Sequence, residues 1–139
     1  MGRVLKGRAL IAGAAEGTAL VCGEPLSFWG GLSAETGRII DRRHPQCGAV
    51  VTGRVFVFPA GKGSSTGSGV LLQSIKAGTA PAAIINRKTD PILALGAIVA
   101  DELYGRRLPM VVLSEEDFAA IAEGDHLAVE EDGTVRILD

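Results

Sequence analysis

Aromatic residues are scarce in this chain: Phe, Trp and Tyr fill 4% of its 139 positions. Its apolar content is therefore Ala, Val, Leu and Ile, which suits thin, close-packed layers rather than a core built on large rings. Cysteine is nearly absent too. Cys22 and Cys47 stand far apart and match no CxxC pattern, so they cannot alone complete a structural zinc or iron–sulfur site. They read as free thiols and small core residues of a reducing, cytoplasmic setting. No basic block exists: 14 Lys and Arg mix with 16 Asp and Glu to a net charge of −2, which leaves no electrostatic footprint for nucleic acid. Long hydrophobic runs are missing as well. The greasiest stretch, Pro91 to Ala100, falls short of the roughly 20 apolar residues a membrane span needs. The opening residues, Met1 to Arg8, scatter charges through the first apolar run and do not resemble a signal peptide. The length then points to one domain, residues 1–139, with neither nucleic acid nor membrane as partner.

What the chain does have is apolar bulk. Hydrophobic residues make up 47%, mean hydropathy is +0.28, and there are 19 glycines. A small domain has too much surface to bury all of this internally. The excess points to an apolar face kept for a partner, as obligate interfaces resemble a core cut in half. A well-packed homo-oligomer is the alternative, and composition does not separate the two.

The first third reads as β, with apolar runs at Arg3–Ile11 and Thr18–Cys22 punctuated by glycines. Residues 24–46 break that pattern with Pro25, Phe28-Trp29-Gly30-Gly31, Thr36-Gly37 and His44-Pro45, and only Arg38-Ile39-Ile40 is strand-like. A loop of that length in a small domain is usually functional. Strand character returns at Ala49–Val51 and Val55–Phe58. Then the rhythm becomes α/β: a helix beginning near Val70 and stopped by Gly78, a strand at Ala82–Asn86, and a helix opened by Asp90-Pro91 and running through Leu103. That last helix is apolar on nearly every face, which predicts burial. Pro109–Leu113 is the next strand, Ser114 caps a helix ending at Gly124, and a hairpin of His126–Glu130 and Thr134–Leu138 turns at Asp132-Gly133. In it, Leu127, Val129, Val135 and Ile137 line one face and His126 is solvated.

Chemistry concentrates in residues 61–69, Gly-Lys-Gly-Ser-Ser-Thr-Gly-Ser-Gly. No side chain there is large enough to pack a core. The segment leads into a helix N-terminus, whose partial positive charge makes it an anion cradle and a place to stabilise an alkoxide. It is not a P-loop, because Lys62 is followed by Gly63, nor a GxSxG elbow. A flexible turn that caps the helix through Thr66 or Ser68 explains the same residues. Asp41 and His44 are the other candidates, because they stand in the long loop after Trp29-Gly30-Gly31.

Three segments taken together resemble the small subunit, or swivel domain, of the aconitase X family. They are Phe28-Trp29-Gly30-Gly31 leading to residues 36–41 and His44-Pro45; residues 61–68; and residues 78–85 with Pro91-Ile92-Leu93-Ala94-Leu95-Gly96-Ala97. The resemblance covers nearly the whole chain. It implies an α/β fold of the swivelling β/β/α kind, a small barrel-like sheet with packed helices. It also implies a hydro-lyase whose active site forms between this chain and a large subunit, the partner, which holds an iron–sulfur cluster while this chain binds none. The wider superfamily carries Gly-Ser-Ser-Arg at the turn, with the first serine as base. That maps onto Gly63-Ser64-Ser65, so the resemblance makes Ser64 the base and Gly63, Ser65, Thr66, Asp41 and His44 the substrate contacts. Thr66 replaces the superfamily arginine, so substrate anchoring must differ here. The implied reaction is dehydration of a small hydroxy acid, cis-3-hydroxy-L-proline to a pyrroline-2-carboxylate, with phosphomevalonate as the alternative substrate. A module of another class, a non-catalytic one whose loop holds an anion for a partner protein, also fits the residues.

Overall fold

The computed structural model describes residues 2–61 and 66–138. Eight strands make one sheet: β1 (Arg3–Lys6), β2 (Arg8–Ile11), β3 (Ala15–Val21), β4 (Val55–Val57), β5 (Ala83–Asn86), β6 (Met110–Val112), β7 (His126–Val129) and β8 (Thr134–Leu138). Their spatial order is β1-β8-β7-β3-β4-β5-β6-β2. The run β3-β4-β5-β6 is parallel and every other pairing is antiparallel. The two end strands are joined by the single residue Gly7, so the sheet must curl until its edges almost meet. This is the barrel-like sheet with packed helices that the resemblance implies. Gly7 is required at that seam: its N–H donates to Gly133 O at 3.1 Å, and a Cβ would overlap the Val111 side chain and lie 2.8 Å from Gly133 O. The apolar run Arg3–Ile11, punctuated by Gly7 in the sequence, accordingly forms two strands that part at Gly7.

Helix α2 (Thr66–Ala77) links β4 to β5, α3 (Pro91–Tyr104) links β5 to β6, and α4 (Glu115–Ala119) follows β6. Parallel neighbours need such crossovers. β4 and β6 are apolar at every position, and β5 at all but Asn86, because both faces of these strands are covered. Phe56, Phe58, Ile84 and Met110 join one core under α2 and α3; Val55, Val57, Ala83, Ile85 and Val111 fill the barrel interior with Leu5, Phe118 and Leu127. The hairpin face predicted from alternation is found, with Leu127, Val129 and Val135 buried there and Ile137 packed against them. In its turn, the Thr134 N–H donates to Asp132 at 2.9 Å and holds that exposed carboxyl below its ordinary range.

Four sequence expectations need correction. Helix α2 starts at Thr66, four positions before Val70, because the low helix propensity of Gly67 and Gly69 is overridden by packing. Helix α3 is not buried all round. Only the stripe Leu93, Gly96, Ala97 and Ala100 is covered, while Leu95, Ile98 and Leu103 are 56%, 49% and 64% exposed, since α2 packs on one side of it alone. Helix α4 stops at Ala119, because the Asp125 carboxylate accepts from Ala122 N–H and Gly124 N–H turns back to Ala19 O. Cys22 is a core residue as expected, its thiol pushed up to about 12 first by burial and then by the Glu123 charge; Cys47 is exposed instead, on the loop before Gly48.

Candidate functional site

The Phe28-Trp29-Gly30-Gly31 motif forms a single irregular turn, α1 (Phe28–Gly31), rather than a regular helix. Phe28 points inward and packs at a tilt against Phe56 and Phe58 at ring separations of 6.3 and 5.8 Å. That anchor turns Trp29 outward, where it is 59% exposed. Gly30 supplies the positive φ of 78° that reverses the chain, a conformation other residues rarely adopt. The turn's position is fixed because the Phe28 side chain is buried under it.

The predicted Asp41 and His44 come together beside this turn. With Glu24, Pro25, Ser27, Trp29, Gly30, Gly31 and Arg43 they line a cavity of about 390 Å³. Asp41 Oδ1 accepts from Arg43 N–H at 2.9 Å, and Asp41 O accepts from His44 N–H at 3.0 Å. His44 is buried, not a surface residue. Its Nδ1 accepts from Gln46 N–H at 3.1 Å, which requires a lone pair there and leaves the ring proton on Nε2, 3.4 Å from Glu24 O. Gln46 Nε2 in turn donates to Val21 O at 2.9 Å. His44 thus ties the 41–47 loop to the end of β3, and both its ring nitrogens are occupied. The tie uses a backbone contact that spacing in sequence does not announce.

Of the Gly/Ser loop, Gly63, Ser64 and Ser65 lie outside the described residues. Both flanks of that segment meet residues 26–29, whose neighbours line the cavity. Gly61 pairs with Leu26 in a parallel bridge, and Leu26 N–H donates to Ala60 O at 3.3 Å. Gly67 presses on the α1 turn, with its Cβ position 3.6 Å from Phe28 Cβ. Thr66 opens α2, which puts Ser68 inside the first turn and not at the cap. That turn holds no acidic residue, so the positive end of the helix is not offset from within.

Asp90 was legible as the cap of α3, and its Oδ1 accepts from Leu93 N–H at 3.1 Å. Its second task was not legible: Oδ2 accepts from Gly61 N–H at 2.7 Å, which ties the entry of the Gly/Ser loop to the start of α3. Asp90→Asn keeps one acceptor and aims an amide donor at the other N–H. The expected cost is about 1–3 kcal/mol, the penalty for a buried donor left unpaired. It should appear as a melting point lower by several degrees. An unchanged melting curve would show that Gly61 is not held this way.

The residues do not fit a resident metal cluster. Among the described residues no three His, Cys, Asp or Glu side chains gather in a group able to hold an ion, and Cys22 is kept protonated by its surroundings. Among the described residues, too, no helix is long and apolar enough to cross a membrane.

Comparison with known proteins gives a consistent picture. The family model for the aconitase X swivel domain matches residues 4–137. The cis-3-hydroxy-L-proline dehydratase of Pseudomonas aeruginosa is 53% identical over 108 residues, 78% of this chain and 19% of that protein. The phosphomevalonate dehydratase small subunit of Archaeoglobus fulgidus is 46% identical over 134 residues, covering 95% of this chain and 96% of that one. The crystal structure of holo-form aconitase X from Thermococcus kodakaraensis superimposes with a TM-score of 0.89 at 38% identity, covering 99% of both chains. The chain spans about a fifth of the length of the hydroxyproline dehydratases it matches.

Proposed function

The chain belongs to the aconitase X swivel-domain family, and from that premise we propose that it is the small subunit of a two-subunit, cytoplasmic hydro-lyase that dehydrates cis-3-hydroxy-L-proline. The 53% identity to the Pseudomonas aeruginosa dehydratase carries the reading. The part of that dehydratase which this chain does not match corresponds to a large subunit, and the exposed Leu95 and Ile98 on α3 offer it an apolar face. The iron–sulfur cluster of the reading belongs to that large subunit, since the donor set described above suits none here.

In this reading the chain contributes the base and part of the substrate seat. Ser64, as its alkoxide, takes the proton from the substrate's α-carbon, the electron pair forms a carbon–carbon double bond, and the hydroxyl leaves as hydroxide, which the proton returned from Ser64 converts to water. The enamine formed then tautomerises to the pyrroline-2-carboxylate. A serine in water is far too weak a base at pH 7. The positive end of α2 and a closed, dry site supply the missing stabilisation of its anion. Asp41, His44 and Thr66 flank the substrate, with Gly63 and Ser65 giving backbone approach beside the base.

A second reading, the small subunit of a phosphomevalonate dehydratase, is favoured by one observation: this chain and such small subunits match over nearly their full lengths. Co-expression with a large subunit of the family separates the two. The expected result is loss of cis-3-hydroxy-L-proline with formation of pyrroline-2-carboxylate, which the chain alone does not catalyse. Turnover of phosphomevalonate only would overturn the first reading, and a complex inactive on both would favour an anion-holding module.

A further inference from the structure

We propose that the cavity beside the α1 turn is the seat of a zwitterionic amino acid, in which Arg43 grips the carboxylate and Glu24 and Asp41 face the ammonium. The assignment rests on the dehydratase reading above and deepens it. The cavity, about 390 Å³, is within the usual range for small-molecule sites. Among the described residues its lining is charged with both signs: one guanidinium and two carboxylates. Among the described residues neither the Arg43 guanidinium nor the Glu24 carboxylate has an ion-pair partner. Asp41 uses Oδ1 for the Arg43 N–H and keeps its second oxygen for a ligand.

Such a lining discriminates between substrate classes. A phosphorylated hydroxy acid brings only negative charge, and two carboxylates against one guanidinium repel it. A cyclic amino acid brings one carboxylate and one secondary ammonium, which the two signs of the lining match. Arg43 offers the planar, two-pronged donor set that suits a carboxylate. Trp29 stands at the rim with its ring exposed, able to lie over an aliphatic ring and to attract the ammonium with its face. His44 forms part of the lining with neither ring nitrogen free, because they are already engaged by Gln46 N–H and Glu24 O.

The test uses the reconstituted two-subunit complex, with three competitors of cis-3-hydroxy-L-proline: L-proline, L-prolinamide without the carboxylate, and N-acetyl-L-proline without the ammonium. L-proline should compete at least about tenfold better than the other two, one lost charged contact being worth roughly that. Arg43→Gln should raise KM about tenfold or more with a smaller change in kcat, and erase the preference for L-proline over L-prolinamide. Glu24→Gln should instead reduce the preference over N-acetyl-L-proline. Both variants should melt like the parent, because neither side chain has a structural partner among the described residues. Hydroxyproline turnover with an Arg43→Gln enzyme of unchanged KM and unchanged selectivity overturns this assignment while leaving the dehydratase reading intact. A complex that dehydrates only phosphomevalonate overturns both.

Discussion

Ser64→Ala will lower the turnover number of the assembled enzyme by roughly 10²–10⁴-fold, the scale expected when a proton-transfer group is lost. The substitution removes one hydroxyl, so stability should change by no more than the ~1 kcal/mol of a lost cap. Assembly with the large subunit should be unaffected. Ser65→Ala and Ser68→Ala should do less, because a hydrogen bond of about 1 kcal/mol felt only in the transition state is worth five- to tenfold in rate. The physical setting supports the ranking. Asp90 fixes Gly61 on one flank of the loop, and on the other a Cβ at Gly67 would stand 3.6 Å from Phe28 Cβ. The measurement is a steady-state comparison of the three variants at equal complex concentration. A dead Ser65→Ala with a near-normal Ser64→Ala would move the base by one position. Three active variants would reduce the loop to a binding element.

The parts of this architecture that were legible in sequence are those written in local chemistry. Asp90-Pro91 announces a helix start, Gly78 a helix end with φ of 79°, and the alternation in the last 14 residues a hairpin. What was not legible depends on contacts between distant segments. The closure of the sheet turns on Gly7 meeting Val111 and Gly133, and no local pattern marks that seam. The apolar run of α3 suggested burial because composition reports how greasy a helix is and not how many neighbours it has. Asp41 and His44 were found through the length of their loop. Arg43, between them, was not singled out, because a guanidinium's importance depends on the cavity it faces. Glu24 was missed for the same reason: it lines the cavity from a second loop, whose carbonyl at Glu24 meets the His44 ring.

Gly96→Ala and Gly69→Ala should change stability in opposite directions, although both replace a helical glycine by the best helix former. In an open helix the exchange stabilises by up to about 1 kcal/mol through propensity and reduced freedom of the unfolded chain. Among the described residues outside its own helical backbone, Gly69, in the first turn of α2, has no heavy atom within 4 Å of where a Cβ would stand, so it should show that gain. Gly96 is the close-approach point of α3 on α2. A Cβ there would overlap the Ser68 carbonyl oxygen and stand 3.1 Å from Ser68 Cα. Those atoms are backbone and cannot rotate away, so the helices must separate. Overpacking of this kind costs about 1–3 kcal/mol, which outweighs the propensity gain. The parted helices would also shift the first turn of α2, whose positive end the proposed base relies on. Since a displacement near 1 Å can cost about 10²-fold in rate, Gly96→Ala should lower kcat by at least tenfold even well below its melting temperature. Thermal melts of the two variants, paired with turnover of the assembled enzyme, test this directly. If Gly96→Ala melts as high as Gly69→Ala, the two helices do not meet at this residue, and the support that α3 gives to the loop must be assigned elsewhere.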